Sequence, residues 1–133
     1  MTPNNESIVK SMFKNYLEKN IPGVMALFDP NIVWIEPGAP HVPFAGTYKG
    51  LKGIEEMFGK EEEMVSVKSF VPQKYFSNGS QVVVLGEDTA VVKTTGKTYH
   101  SEWAIVFSLE NGKIIQVQTY MNTVDIALAF QPD

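Results

Sequence analysis

From Ser7 to Leu17 the apolar residues Ile8, Val9, Met12, Phe13, Tyr16 and Leu17 recur at i, i+1, i+4, i+5, i+8 and i+9. That spacing draws one stripe along a helix, with Lys10, Lys14, Asn15 and Glu18 on its wet side. Asn20-Ile21-Pro22-Gly23 interrupts the stripe, and Pro22 suits the first turn of a short second helix running through Phe28. Asp29-Pro30-Asn31 then turns the chain into Ile32-Val33-Trp34-Ile35-Glu36, a β-rich run closed by Pro37-Gly38. The stretch from Pro37 to Gly50 holds three prolines and three glycines and reads as irregular. A third helix is expected at about Leu51–Gly59, with Ile54, Met57 and Phe58 on one side. Glu61-Glu62-Glu63 reads as a solvated helix end or loop.

The second half of the chain is all strand. Val65–Tyr75, Gln81–Thr94, Thr98–Leu109 and Lys113–Asn122 are separated by Asn78-Gly79, Thr95-Gly96-Lys97 and Asn111-Gly112, turn signals of the kind that close antiparallel hairpins. Thr123–Phe130 reads as a short terminal helix. The expected fold is therefore α+β: a cone-shaped barrel in which three N-terminal helices pack on a curved, mostly antiparallel sheet. The space between helices and sheet is a common kind of ligand site. In the third strand of the meander, Tyr99, Trp103, Ile105, Phe107 and Leu109 share one face, and His100, Glu102, Ala104, Val106 and Ser108 the other. The second face is too apolar to be left fully wet, so a homodimer packed sheet against sheet is expected to bury it, with His100 and Glu102 at that interface.

Composition narrows the function classes. At 133 residues the chain suits a single domain, 1–133, with no repeat or linker. A net charge of −4 argues against nucleic acid as a partner. No apolar run reaches the length of a membrane span, and Met1-Thr2-Pro3-Asn4-Asn5-Glu6 has neither the basic nor the apolar part of a signal peptide, so no membrane association and a cytoplasmic location are expected. With no cysteine there is no disulfide, thiolate nucleophile or cysteine-held zinc. Phosphate-cradling glycine motifs and a Gly-x-Ser-x-Gly elbow are missing, and two histidines without a spaced carboxylate set make a poor metal site. No cofactor and no metal are expected.

Several strings, taken in order, carry a resemblance: Gly23-Val24-Met25-Ala26-Leu27-Phe28, Trp34-Ile35-Glu36-Pro37-Gly38, Phe44-Ala45-Gly46-Thr47-Tyr48-Lys49-Gly50, and Asn111-Gly112-Lys113-Ile114-Ile115 leading to Tyr120-Met121-Asn122. Over about residues 7–128 the chain resembles the nuclear transport factor 2-like superfamily, and within it the ketosteroid isomerase and SnoaL-like polyketide cyclase group. This fold hosts enzymes, transport adaptors and binding modules alike. Resemblance to the isomerases implies a carboxylate base before a proline, matched by Glu36, and a tyrosine on the first helix. An ungapped count puts that tyrosine at Met12, with Tyr16 one turn further along the same stripe. It also implies a second, protonated acid, whose place falls near Ile105. Resemblance to the cyclases implies an aspartate in a Tyr-x-Asp string, which here reads Tyr120-Met121-Asn122. Relatives that hydrolyse epoxides imply an aspartate–arginine–aspartate set, for which the chain holds too little arginine.

Glu36 is the leading catalytic candidate on its own merits. It closes an apolar strand on the same face as Trp34, since side chains two apart in a strand share a side. A carboxylate beside an indole in a dry cone has its pKa raised toward neutrality, where it can give or take a proton. The structural alternative is a strand-end glutamate that caps the loop or pairs with a lysine. His41, in the proline-rich loop over the cone mouth, is the second catalytic candidate, against the alternative of a solvent-exposed loop histidine. Trp34, Tyr48, Phe58, Trp103, Phe107 and Tyr120 form either an aromatic lining or ordinary core; core is the simpler reading for Phe58 and Phe107. With Met12, Tyr16, Ile105 and Met121 added from the resemblance, these residues frame a site for a small apolar molecule. The chain is then either a cofactor-free isomerase, cyclase or hydrolase working through Glu36, or a non-catalytic binding or dimerisation module.

Overall fold

Asn4 starts the first helix by accepting the Ser7 N–H at 2.7 Å, which satisfies one of the donors a helix leaves unpaired at its start. This cap opens a computed structural model that describes residues 4–133; the Met1–Pro3 part of the leader reading lies outside the described residues. Helix α1 (Asn5–Leu17) buries Ile8, Val9, Met12 and Phe13. Helix α2 (Ile21–Met25) carries Pro22 in its first turn and is capped by the Asn20 side chain, which accepts from Gly23 N. It ends sooner than its apolar pattern suggests because Leu27 and Phe28 are drawn into the sheet, where Ile114 N donates to Leu27 O.

Strand β1 (Phe28–Glu36) therefore begins four residues before the β-rich run. Strand β2 (Gly46–Lys49) lies in the stretch expected to be irregular and pairs antiparallel with β1, setting Tyr48 opposite Trp34 and Gly46 opposite Glu36. Four residues at a sheet edge are too few to show a period. Helix α3 (Gly50–Met64) runs a turn further than expected and takes in the whole Glu61-Glu62-Glu63 run, since Ile54, Met57, Phe58 and Glu61 keep the spacing of one helical face.

The meander follows as β3 (Val65–Asn78), β4 (Gln81–Val92), β5 (Thr98–Glu110) and β6 (Lys113–Tyr120), and α4 (Thr123–Phe130) ends the fold. Asn111 and Gly112 both take positive φ, 53° and 77°, as a two-residue hairpin turn matching the right-handed twist of its strands demands. The six strands form one sheet in the order β2-β1-β6-β5-β4-β3. Only β1 and β6 are parallel. The sheet does not close into a barrel: β2 and β3 are its two edges. Register shifts in β3 at Val67/Ser69 and Pro72/Lys74 bend it over the helices.

Two apolar clusters hold the layers together. The larger joins α1 and α3 to the concave face of the sheet through Val9, Met12, Ile54, Met57, Val84 and Phe107. The smaller joins Val42 and Phe44 of the 37–45 loop to Val65, Ala90, Val92 and Tyr99 of the sheet and to Ile126 and Ala129 of α4. The two clusters do not fuse, and a cavity lies between them.

A candidate acid–base cavity

Strand alternation sends Trp34 and Glu36 inward from β1, as their shared face requires. Glu36 is only 6% exposed. Its Oε1 accepts from Trp34 Nε1 at 2.6 Å and from Thr119 Oγ1 of β6 at 2.9 Å. Both bonds end on one oxygen, so the lone pairs of Oε2 are not spent on them. Burial pushes the carboxyl from an ordinary value of 4.5 up to about 7. The two hydrogen bonds pull the other way, and the Asp88 charge adds to the rise.

The cavity beside Glu36 has a volume of about 70 Å³. That is roughly half of the 150 Å³ in which an apolar cavity takes up benzene. There is room for a few heavy atoms, and of the lining residues Val67 is exposed while Phe58 and Glu61 are half-buried. Of the residues singled out from the sequence, Met12, Tyr16, Trp34, Glu36, Phe58, Trp103, Ile105 and Met121 line this space. His41, Tyr48 and Tyr120 do not. His41 is exposed: its backbone N–H, like that of Val42, bonds back to Gly38 O in a tight turn that aims Val42 and Phe44 inward and His41 at solvent. Tyr48 is buried, but its hydroxyl donates to Phe44 O at 2.8 Å and holds the loop instead. Tyr120 is 56% exposed, because it pairs with Ala104 on the outer face while Thr119, paired with inward-facing Ile105, takes the cavity position.

Two titratable groups in the lining were missed in the sequence. Asp88 sits midway along β4, on the inward phase that also sends in Val82, Val84, Ala90 and Val92. Burial pushes its carboxyl up to about 6, against the pull of His100. Glu61 reaches the cavity from the last turn of α3. Burial, then the charges of Glu36 and Asp88, hold it well above the usual carboxyl range. The period-two pattern of β4 and the Ile54-Met57-Phe58-Glu61 spacing carried both signals. Tyr99, Phe13, Phe44, Val65, Val67 and Phe70 complete the wall. Burial first, then these carboxyl charges, keep the Tyr16 and Tyr99 phenols above their ordinary range, so both are neutral donors.

Two polar atoms are buried without a partner among the described residues, Asp88 Oδ1 and Trp103 Nε1. Leaving such a group unpaired costs about 1–3 kcal/mol. The Trp103 indole lies across from Gly86, where a Cβ would sit 2.4 Å from the ring, and stacks on Phe70 at 4.9 Å between centroids. Among the described residues no group of three His, Cys, Asp or Glu is arranged to hold one metal ion, and no helix is long and apolar enough to cross a membrane.

The bent sheet over three helices, with a buried acid at the end of β1, defines a nuclear transport factor 2-like protein. Residues 9–117 match the SnoaL-like domain, and the chain belongs to that family. An NTF2-like protein from Burkholderia xenovorans LB400 is 30% identical, superposes with a TM-score of 0.88, and is matched over 98% of both chains. A second NTF2-like protein, from Burkholderia thailandensis E264, is 26% identical with a TM-score of 0.89 over 99% of both. TerC, solved with polyporic acid, shares the fold at 19% identity and a TM-score of 0.85, over 94% of this chain and 96% of its own. No curated protein matches the chain.

Proposed function

We propose that the cavity takes up a small, largely apolar ligand and that Glu36 exchanges a proton with it, in an isomerase-, cyclase- or hydrolase-type reaction that uses no cofactor. The observation that carries this reading is the Glu36 carboxyl itself: walled off from solvent, fixed through one oxygen, and titrating at about 7. An acid–base group with a pKa near the working pH is the one that transfers protons most effectively. Neutral Tyr16 and Tyr99 and the free N–H of Trp103 are donors toward the same space.

The test is deuterium exchange. Wild-type protein and Glu36→Gln are each incubated in heavy water with a panel of small ketones, enones and epoxides, and deuterium uptake and product formation are followed by NMR. The expected result is turnover of at least one class near pH 7, lost by roughly 10²-fold or more in the variant, the usual worth of a positioned acid–base group. Equal rates for the two proteins would remove Glu36 from the chemistry. Binding without turnover in both would leave a binding module, in which Glu36 only bonds the ligand's polar end.

The outer face of the sheet belongs to the same proposal. Half-buried Val83, Leu85, Ala104 and Val106 form an apolar patch there, flanked by exposed Phe76 and Tyr120. A second copy of the chain, packed sheet to sheet, is the occupant proposed for it.

A further inference from the structure

The cavity gathers three carboxyl groups from three separate elements, Glu36 from β1, Glu61 from α3 and Asp88 from β4, and no cationic side chain lines it. The chain contains no arginine, and none of its 11 lysines or 2 histidines lines the space. Glu61 occupies the last turn of its helix, the end at which the helix dipole already disfavours a negative charge. Asp88 is 5% exposed, and its Oδ1 finds no donor. Trp103, also 5% exposed, lines the same space with its own N–H unpaired. The rings of Tyr16, Phe58 and Phe70 line the same space, with 5.7 Å between the Tyr16 and Phe58 centroids and 5.5 Å between those of Tyr16 and Phe70. Ring faces in a dry site attract positive charge. The carboxyls surround the space without converging on a point that would hold a metal ion.

We propose that the group this cavity selects is an organic cation, a small ammonium or iminium centre carried on an apolar body. The assignment rests on the reading that the cavity takes a ligand, and it names that ligand's charge. The lining offers neutral donors in Tyr16, Tyr99 and the Trp103 N–H and holds no fixed positive charge, while its carboxylates and ring faces steady a cation. The titratable groups facing the cavity are Tyr16 from α1, Glu36 from β1, Glu61 from α3, Asp88 from β4 and Tyr99 from β5. β3, β6 and the 37–45 loop contribute none, and His100 acts on Asp88 from the outer face of β5. The phenols stay neutral near pH 7, so the carboxyls set the pH response. A cation favours their charged forms, so its entry releases protons and tightens as pH rises.

The experiment compares tert-butylammonium chloride with tert-butanol, which have nearly the same shape and differ in charge. Each is titrated at matched ionic strength into nitrogen-15-labelled protein while the indole N–H signals of Trp34 and Trp103 are followed. Near pH 8 the ammonium should bind at least about tenfold more tightly than the alcohol, a ratio of the size a desolvated cation–π site supports. Asp88→Asn and Glu61→Gln should each cut that ratio several-fold, whereas Glu102→Gln on the outer face leaves it unchanged. Wild-type protein gives the same answer without a variant: from near pH 8 to near pH 5 the ammonium's affinity falls and the alcohol's does not. An alcohol that binds as tightly as the ammonium, or an ammonium preference that ignores pH, overturns the assignment and leaves Glu36 proton transfer standing. If neither compound moves an indole signal, the assignment falls together with the reading that the cavity takes a ligand.

Discussion

Replacing Glu36 by glutamine keeps the shape of the side chain and removes its proton equilibrium. The amide oxygen still accepts from Trp34 Nε1 and Thr119 Oγ1, while the amide nitrogen takes the place of Oε2. In the wild type the carboxyl titrates near 4.5 when the chain is unfolded and at about 7 in the fold. Between these values the folded state holds more protons than the unfolded one, so stability falls as pH rises. The contribution is fully present below about pH 4.5 and lost once pH passes about 7. At about 1.4 kcal/mol for each tenfold change in proton affinity, that gap amounts to about 3 kcal/mol. Glu36→Gln should therefore match the wild type near pH 4 and exceed it by about 3 kcal/mol near pH 8. Urea unfolding followed by the fluorescence of the two buried tryptophans reads the difference. With a slope of about 1–3 kcal/mol per molar urea, the midpoint near pH 8 should rise by at least about 1 M. A difference that is the same at both pH values, or a variant less stable near pH 8, would refute the reasoning, because it would mean a carboxylate that the fold already accommodates.

Trp34→Phe removes a hydrogen bond that favours the charged carboxyl, so the Glu36 pKa should climb beyond about 7; carbon-13 NMR of labelled glutamate reads it, and a fall would count against the 2.6 Å bond. Gly86→Ala would place a methyl group 2.4 Å from the Trp103 ring and 2.5 Å from Val71 O, and should cost about 2–3 kcal/mol in urea unfolding with a changed near-ultraviolet circular dichroism of the indole. A neutral result there would mean that Trp103 does not lie over Gly86. Val106→Lys puts a charge on the outer apolar patch and should abolish the proposed sheet-to-sheet dimer in sedimentation velocity; a wild type that sediments as a monomer, or a variant with an unchanged dimer, would rule out that use of the face.

What the sequence showed of all this followed from period and turn chemistry. The last helix, Thr123–Phe130, and the starts of all four meander strands agree with their pattern; for β4, β5 and β6 the reason is that Asn-Gly and Gly-containing turns fix where strands begin. The short pieces were less legible. β2 is set by pairing with β1, a contact between distant residues that leaves no local mark. The site divided along the same line. Trp34 and Glu36 follow from alternation within one strand, whereas choosing Thr119 over Tyr120 needs the β5–β6 register, which only the folded sheet supplies. Glu61 was lost for a different reason. Three successive glutamates read as a solvated run, yet one of the three falls on the helix's apolar face and is folded inward. Asp88 was likewise hidden by its type, an acid on the inward phase of an otherwise apolar strand.

Those two acids and Glu36 bind the stability of the fold to what the cavity contains. Above pH 7 Glu36 and Asp88 each withdraw stability on the scale worked out for Glu36, against a total of about 5–15 kcal/mol for a domain of this kind. Packing gives no reason for them. Ile105 and Met121 line the same wall without charge, and residues of that type at the three positions would leave a drier and firmer core. A fold that carries three unbalanced acids around one small space is therefore most stable either at low pH, where protons neutralise them, or with a ligand whose charge does. Near pH 7 protons still neutralise part of this set, so the weight shifts to a ligand as pH rises, and near pH 8 the melting temperature should rise more steeply with the concentration of tert-butylammonium than with that of tert-butanol.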